Sequence, residues 1–203
     1  SEEAVHRFRK FVGQVVSSAE KPSQQRYLSK NNNNILRLGS IRQAFPNALI
    51  IVPFRDPIQQ AISLFKLHTR FCATYETDSF SCNYMKWLGH HEFGATHLPF
   101  KFGDSRIVKA ENHHPRNINY WLALWINTYR YLVENAPKET VFISFEKLCR
   151  EPQQIIGLLF SKANLVINNS SIEEEIRAPK IQNNDNLDQE LIKKALTIYH
   201  DLS

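Results

Sequence analysis

The sequence predicts a three-layer α/β fold, a mainly parallel sheet flanked by helices. Three observations carry that expectation. Short apolar runs of strand length alternate with stretches of helical periodicity. One run, Ala-Leu-Ile-Ile-Val-Pro-Phe over residues 48–54, is apolar without alternation, as in strands covered on both faces. The chain of 203 residues with 42% apolar content is long enough for one sizeable core and short for two, so one domain over residues 1–203 is expected.

The elements follow in order. Residues 2–19 place Val5, Phe8, Phe11, Val12, Val15 and Val16 on one helical face, with Glu2 and Glu3 in the first turn, where the dipole favours acid. Pro22 stops that helix, and Arg26 to Ser29 read as a short strand ending at Lys30. The asparagine run at residues 31–34 turns the chain into a helix with Ile35, Leu38, Ile41 and Phe45 inward, stopped by Pro46. After the apolar strand, Arg55-Asp56-Pro57 reads as a tight turn. Asp56 caps the next helix, Pro57 takes its first position, and Ile58, Ala61, Ile62, Leu64 and Phe65 pack inward. Periodicity then fails over residues 68–115, an irregular insertion of a length that implies small helices or a binding task. A long helix over 117–134, a strand over 140–145, a helix beyond Pro152 and a last helix over 187–199, capped by Asn186 or Asp188, complete the chain.

Composition narrows the partners. The net charge of +5 favours anionic ligands, but the basic residues are scattered and form no block interleaved with aromatics, which argues against nucleic acid. Three cysteines, Cys72, Cys82 and Cys149, match no zinc spacing, and their odd number argues against a disulfide framework. A reducing, cytoplasmic setting is therefore expected, with a secretory lumen as the alternative in which Cys72 and Cys82 close a loop. No apolar stretch approaches bilayer length. The chain opens without Met and directly into a helical pattern, so more sequence is expected upstream of Ser1.

In an open parallel sheet the ligand crevice lies at the carboxyl ends of the strands, and the three predicted strands end at Lys30, Arg55 and Glu146. Arg55 opens a helix, whose free N–H groups and dipole suit a phosphate. Ser63 lies eight residues further, roughly two turns on. Guanidinium and hydroxyl together make a phosphate clasp. The competing roles are an Arg55 salt bridge to Asp56 and a Ser63 hydroxyl folded back onto its own helix.

The stretch Tyr27-Leu28-Ser29-Lys30-Asn31, then Ala44-Phe45-Pro46-Asn47-Ala48, the apolar strand, Arg55-Asp56-Pro57 and Ser63 resembles the sulfotransferase superfamily. Phe145-Glu146-Lys147-Leu148 and Glu151-Pro152 resemble its later strand and acidic segment, and the likeness spans residues 27–163 with a poorly matching middle. The resemblance implies a P-loop-NTPase-like fold and transfer of a sulfuryl group from 3′-phosphoadenosine 5′-phosphosulfate (PAPS) to a hydroxyl or amine, without a metal. It places Arg55 and Ser63 on the 3′-phosphate of the nucleotide. Lys30 is expected near the bridging oxygen, where an ammonium would stabilise charge as the S–O bond breaks. One departure is plain: no glycine lies in the strand-loop-helix that holds the 5′-phosphosulfate in that family, so the loop is expected upstream.

A hydroxyl acceptor needs a general base, and the irregular residues 68–115, expected on the acceptor side, hold the candidates His90, His91, Glu92, His97, His113 and His114, with His91 first, then His90 and Glu92. His90, His91, Glu92 and His97 could instead ligate a metal, although no sustained helical spacing or cysteine supports that. Trp87, Tyr120, Trp121 and Trp125 could line an acceptor or adenine pocket, or the last two could form a core stripe at i, i+4. The rival functions are a non-catalytic nucleotide-binding scaffold, a P-loop kinase relative and a nucleic-acid module.

Overall fold

A computed structural model describes residues 2–21, 25–102, 109, 113–166, 176, 178 and 180–203. Helices dominate it: α1 (Glu2–Ser17), a 3-10 helix (Asn32–Arg37), α2 (Leu38–Ala44), β1 (Ile51–Phe54), α3 (Pro57–Thr77), α4 (Ser79–Trp87), a 3-10 turn (Gly94–Thr96), α5 (Ile118–Asn135), β2 (Val141–Ser144), α6 (Phe145–Arg150), α7 (Pro152–Lys162) and α8 (Gln189–Leu202). Among the described residues the sheet has two strands, β1 paired with β2 in parallel. The fold is thus mixed α/β.

Two compact units share the chain. The first comprises Ser1–Val52 with Glu134–Val141. In it α1 buries Val12 and half-buries Val5, Phe8 and Val16, a stripe at helical spacing, whereas Phe11 and Val15 stay exposed. Phe8 meets Phe45 edge to face at 5.3 Å. Arg9 donates through Nε to Ala44 O (2.7 Å) and through Nη2 to Gln43 O (2.9 Å), which satisfies carbonyls that the end of α2 leaves open. Asn31 caps the 3-10 helix by accepting from Asn33 N–H at 2.8 Å.

One expectation fails in this unit. Residues 26–29 form no strand; Tyr27 is 37% and Leu28 93% exposed, and no ladder bonds hold them. An apolar pair without a neighbouring strand stays as extended coil, because a strand exists only through its partner. Lys30 therefore ends no strand. Pro22, expected as a helix stop, lies outside the described residues.

The second unit comprises Pro53–Val133 with Phe142–Ser203. Its centre is α5, apolar on nearly every side: Trp121, Leu122, Ala123, Trp125, Ile126 and Leu132 are each 2% exposed or less. A helix of that kind belongs inside a core. α8 adds Leu191, Ala195 and Ile198 at helical spacing, and Asp188 caps it by accepting from the N–H groups of Glu190 (2.8 Å) and Leu191 (3.0 Å).

The stretch over 68–115, expected to lack sustained periodicity and to hold small helices or a binding task, contains the end of α3, α4 and a 3-10 turn. α3 continues to Thr77, and Asp78 both ends it and caps α4, accepting from Ser81 N–H at 3.1 Å. Phe80, Tyr84, Trp87 and Leu88 on α4 are 68%, 47%, 80% and 52% exposed. The apolar residues thus mark the outer face of α4.

Candidate functional site

The site forms where β1 gives way to α3 in the second unit. Asp56 accepts the Gln59 N–H at 2.8 Å and Pro57 sits in the first turn, so the turn is built as its sequence dictates. Asp56 N–H is held in turn by Glu146 Oε1 at 3.0 Å. The other Glu146 oxygen accepts from Ser144 Oγ (3.1 Å) and Tyr199 Oη (3.0 Å). Two of the three expected strand-end residues therefore do converge: Glu146, two residues past β2 in the first turn of α6, fixes the backbone next to Arg55.

Arg55 and Ser63 line one cavity of about 350 Å³ with Pro53, Phe54, Gln60, Leu64, Tyr129 and Phe145. The Arg55 guanidinium lies over the Phe145 ring, 5.4 Å from its centroid, which holds it by cation–π attraction without using its N–H groups. Its Nε is buried and has no hydrogen-bond partner. Among the described residues no carboxylate pairs with Arg55, so the salt bridge to Asp56 does not form. Nor does the Ser63 hydroxyl fold back onto its helix among the described residues. Thr69, Thr74 and Thr77, on the same helix, all do so. A buried guanidinium nitrogen without an acceptor and a hydroxyl clear of its own helix, facing one cavity, are what an anion would satisfy.

Three wall residues were missed by sequence reasoning. Gln60 Oε1 accepts from Trp125 Nε1–H at 3.1 Å. Tyr129 donates to Pro53 O at 3.3 Å, and burial pushes its phenol up to about 12, with a Gln60 hydrogen bond opposing the rise. Phe145 supplies the ring under Arg55. Only the i, i+3 spacing of Gln60 and Ser63 on α3 could have suggested the first of them.

The expected catalytic histidines lie elsewhere. His90, His91 and Glu92 are absent from the cavity lining. His90 Nδ1 pairs with Glu92 at 3.3 Å, both partly solvated. His91 Nδ1 lies 3.2 Å from Thr96 O; a carbonyl only accepts, so the proton is on Nδ1 and Nε2 is left basic. His97 Nδ1 donates to Glu92 O (2.6 Å), and its Nε2 accepts a 2.7 Å hydrogen bond from the Tyr120 hydroxyl. Burial lowers the pKa of His97 and raises that of Tyr120 to about 12. His68, which accepts the Gly94 N–H on Nδ1 at 3.2 Å, is likewise lowered, chiefly by burial and then by His97, His114 and Arg116. Among the described residues no three His, Cys, Asp or Glu side chains gather as metal ligands.

The tryptophans divide. Trp121 and Trp125 are core residues at 2% exposure, Trp121 stacking with Phe93 and tilting against His68 and His97. Trp87 is exposed and Tyr120 buried, and neither lines the cavity. Cys72, Cys82 and Cys149 form no disulfide among the described residues. Lys30 lies exposed in the first unit. No helix among the described residues is long and apolar enough to cross a membrane.

The chain belongs to the sulfotransferase family, whose family profile matches residues 1–109 of the 203 and so includes β1, the turn and all of α3. Membership places it among the transferases that move sulfo groups. No curated protein and no solved structure matches it significantly.

Proposed function

We propose that the chain is a PAPS-dependent sulfotransferase acting on a hydroxyl or amine, with Arg55 and Ser63 holding the 3′-phosphate of the nucleotide. The observation that carries the reading is the buried, unpartnered Arg55 Nε facing the same cavity as a Ser63 hydroxyl that is clear of its own helix. Within this reading the two-stranded parallel sheet is part of a three-layer, P-loop-like architecture.

PAPS supplies a sulfuryl group whose leaving oxygen belongs to a phosphate. The acceptor oxygen or nitrogen forms the new bond to sulfur as the S–O bond to that phosphate breaks in line. The electron pair stays with adenosine 3′,5′-bisphosphate, and the acceptor proton goes to a base. Positioning and charge do most of such work, as in phosphoryl transfer. Arg55 and Ser63 contribute by anchoring one end of the nucleotide. His91 is the base in this reading, supported by a tautomer that leaves Nε2 free to take a proton. No step is assigned to Lys30.

Calorimetry with adenosine 3′,5′-bisphosphate and adenosine 5′-phosphate tests the assignment. Arg55→Ala should weaken the bisphosphate by about 2–4 kcal/mol, and Ser63→Ala by about 1 kcal/mol, with little change for the 5′-phosphate. Equal weakening of both ligands by Arg55→Ala would remove the 3′-phosphate from this cavity.

A further inference from the structure

We infer that Gln60 is a third ligand of the phosphate in the Arg55–Ser63 cavity, its amide N–H aimed by the indole of Trp125. The inference rests on the nucleotide reading above and adds a residue and an orienting device to it. Gln60 and Ser63 stand three residues apart on α3, hence on one face, and both line the cavity.

The orientation of the amide follows from donor counting. An indole N–H can only donate, so the Gln60 atom 3.1 Å from Trp125 Nε1 is the carbonyl oxygen. The NH₂ group is thereby turned away from Trp125. Tyr129 is its second neighbour, and the only phenolic proton there is spent on Pro53 O at 3.3 Å. Towards Gln60 the Tyr129 oxygen can therefore only accept. At most one N–H of the amide is used there, which leaves the other for whatever fills the cavity.

Rigidity comes from α5. Trp125 and Tyr129 pack against each other with ring centroids 4.4 Å apart, and both are at least nine-tenths buried, at 2% and 6% exposure. The two residues that set the amide thus cannot swing, and a preset donor loses little freedom when it binds. Chemically, the wall then offers three donors to the ligand: a guanidinium, a hydroxyl and an amide N–H. A phosphate monoester, which at neutral pH accepts on every terminal oxygen, fits such a wall; a ribose hydroxyl fits it less well.

The test uses calorimetry on the full 203-residue chain with adenosine 3′,5′-bisphosphate and adenosine 5′-phosphate as probes. Gln60→Glu keeps an oxygen for Trp125 but replaces the NH₂ with carboxylate oxygen, and should weaken the bisphosphate by about 100-fold or more. Gln60→Leu should weaken it by about 5–20-fold, and Trp125→Phe by about threefold, through loss of aim alone. In all three, affinity for the 5′-phosphate should stay within about twofold, a selectivity that a purely structural role would not produce. Ligand-free melting of each variant identifies any that fails to fold; Gln60→Leu and Trp125→Phe then carry the test in place of Gln60→Glu. If Arg55→Ala removes the preference for the bisphosphate while the Gln60 variants keep it, Gln60 is no ligand and the nucleotide reading stands. If the parent shows no such preference, the reading fails and this inference with it.

Discussion

Removing the Glu146 carboxylate should loosen the turn that presents Arg55. The carboxylate accepts three hydrogen bonds, from Asp56 N–H at 3.0 Å, Ser144 Oγ at 3.1 Å and Tyr199 Oη at 3.0 Å. In Glu146→Ala the two hydroxyls can turn to water, but the Asp56 N–H is fixed by the backbone and loses its only side-chain acceptor. A hydrogen bond to a charged group contributes about 1.5–3 kcal/mol, and a half-buried site with two rescued hydroxyls sits near one such bond, so the loss should be about 2–3 kcal/mol. For a chain of this size that lowers the melting temperature by roughly 4–12 °C. Glu146→Gln keeps a carbonyl oxygen for Asp56, and Ser144 or Tyr199 can accept from its NH₂, so it should cost about 1 kcal/mol or less. Urea unfolding of the parent and both variants, with midpoint and slope fitted together, reads these differences. Adenosine 3′,5′-bisphosphate affinity should fall in the alanine variant and return in the glutamine variant. Alanine and glutamine variants of equal stability would refute the argument, because it assigns the effect to an acceptor at the Asp56 N–H and not to a negative charge.

Three further outcomes follow from the same unit. Gly94 has φ +77° and a Cβ there would lie 2.4 Å from Tyr75 Cε2, so Gly94→Ala should destabilise by about 1–3 kcal/mol in urea unfolding, with no bearing on nucleotide affinity. His68 and His97 are held below the ordinary histidine value of 6.5, mainly by burial, so the unfolded chain takes up their protons first as pH falls. The stability they contribute is complete above about pH 6.5 and lost on acidification below it, and His68→Asn, which keeps an acceptor for Gly94 N–H, should flatten that slope in unfolding measured against pH. Replacing His91 by alanine should lower kcat by about 10²–10⁴-fold with nucleotide affinity unchanged; a kcat within a few-fold of the parent, for His90 and Glu92 as well, would move the base out of this cluster.

The fold was legible where a signal is local and self-contained. Asp56, Pro57 and the apolar run before them specify strand, turn and helix from within a few residues, and each lies where it was expected. β1 and β2 are nonetheless shorter than their apolar runs, because pairing extends only as far as the partner, and Val141 N–H already meets Ile50 O just outside the assigned strand. Residues 26–29 had strand-like composition and no neighbour to pair with. α4 carried a readable cap in Asp78 and Ser81, but its apolar residues mark the outer face.

The candidate site divides in the same way, and the division has a physical cause. Arg55 and Ser63 sit on one turn and the helix it starts, so their spacing alone places them together, and the cavity contains both. Gln60 lies between them in sequence and gave no signal, because an amide at that position is a donor or an acceptor depending on what faces it. What faces it is Trp125, 65 residues away on another helix. Glu146 is similar: its carboxylate has meaning only beside the Asp56 N–H, across 90 residues of chain. Charged ligands can thus be read from a motif because their chemistry is fixed by residue type, whereas the groups that orient and brace them act through contacts that only the packed core creates. Substitutions at Trp125 and Tyr199, which lie outside every motif here, should therefore weaken nucleotide binding through these contacts alone, by less than the loss of Arg55 itself.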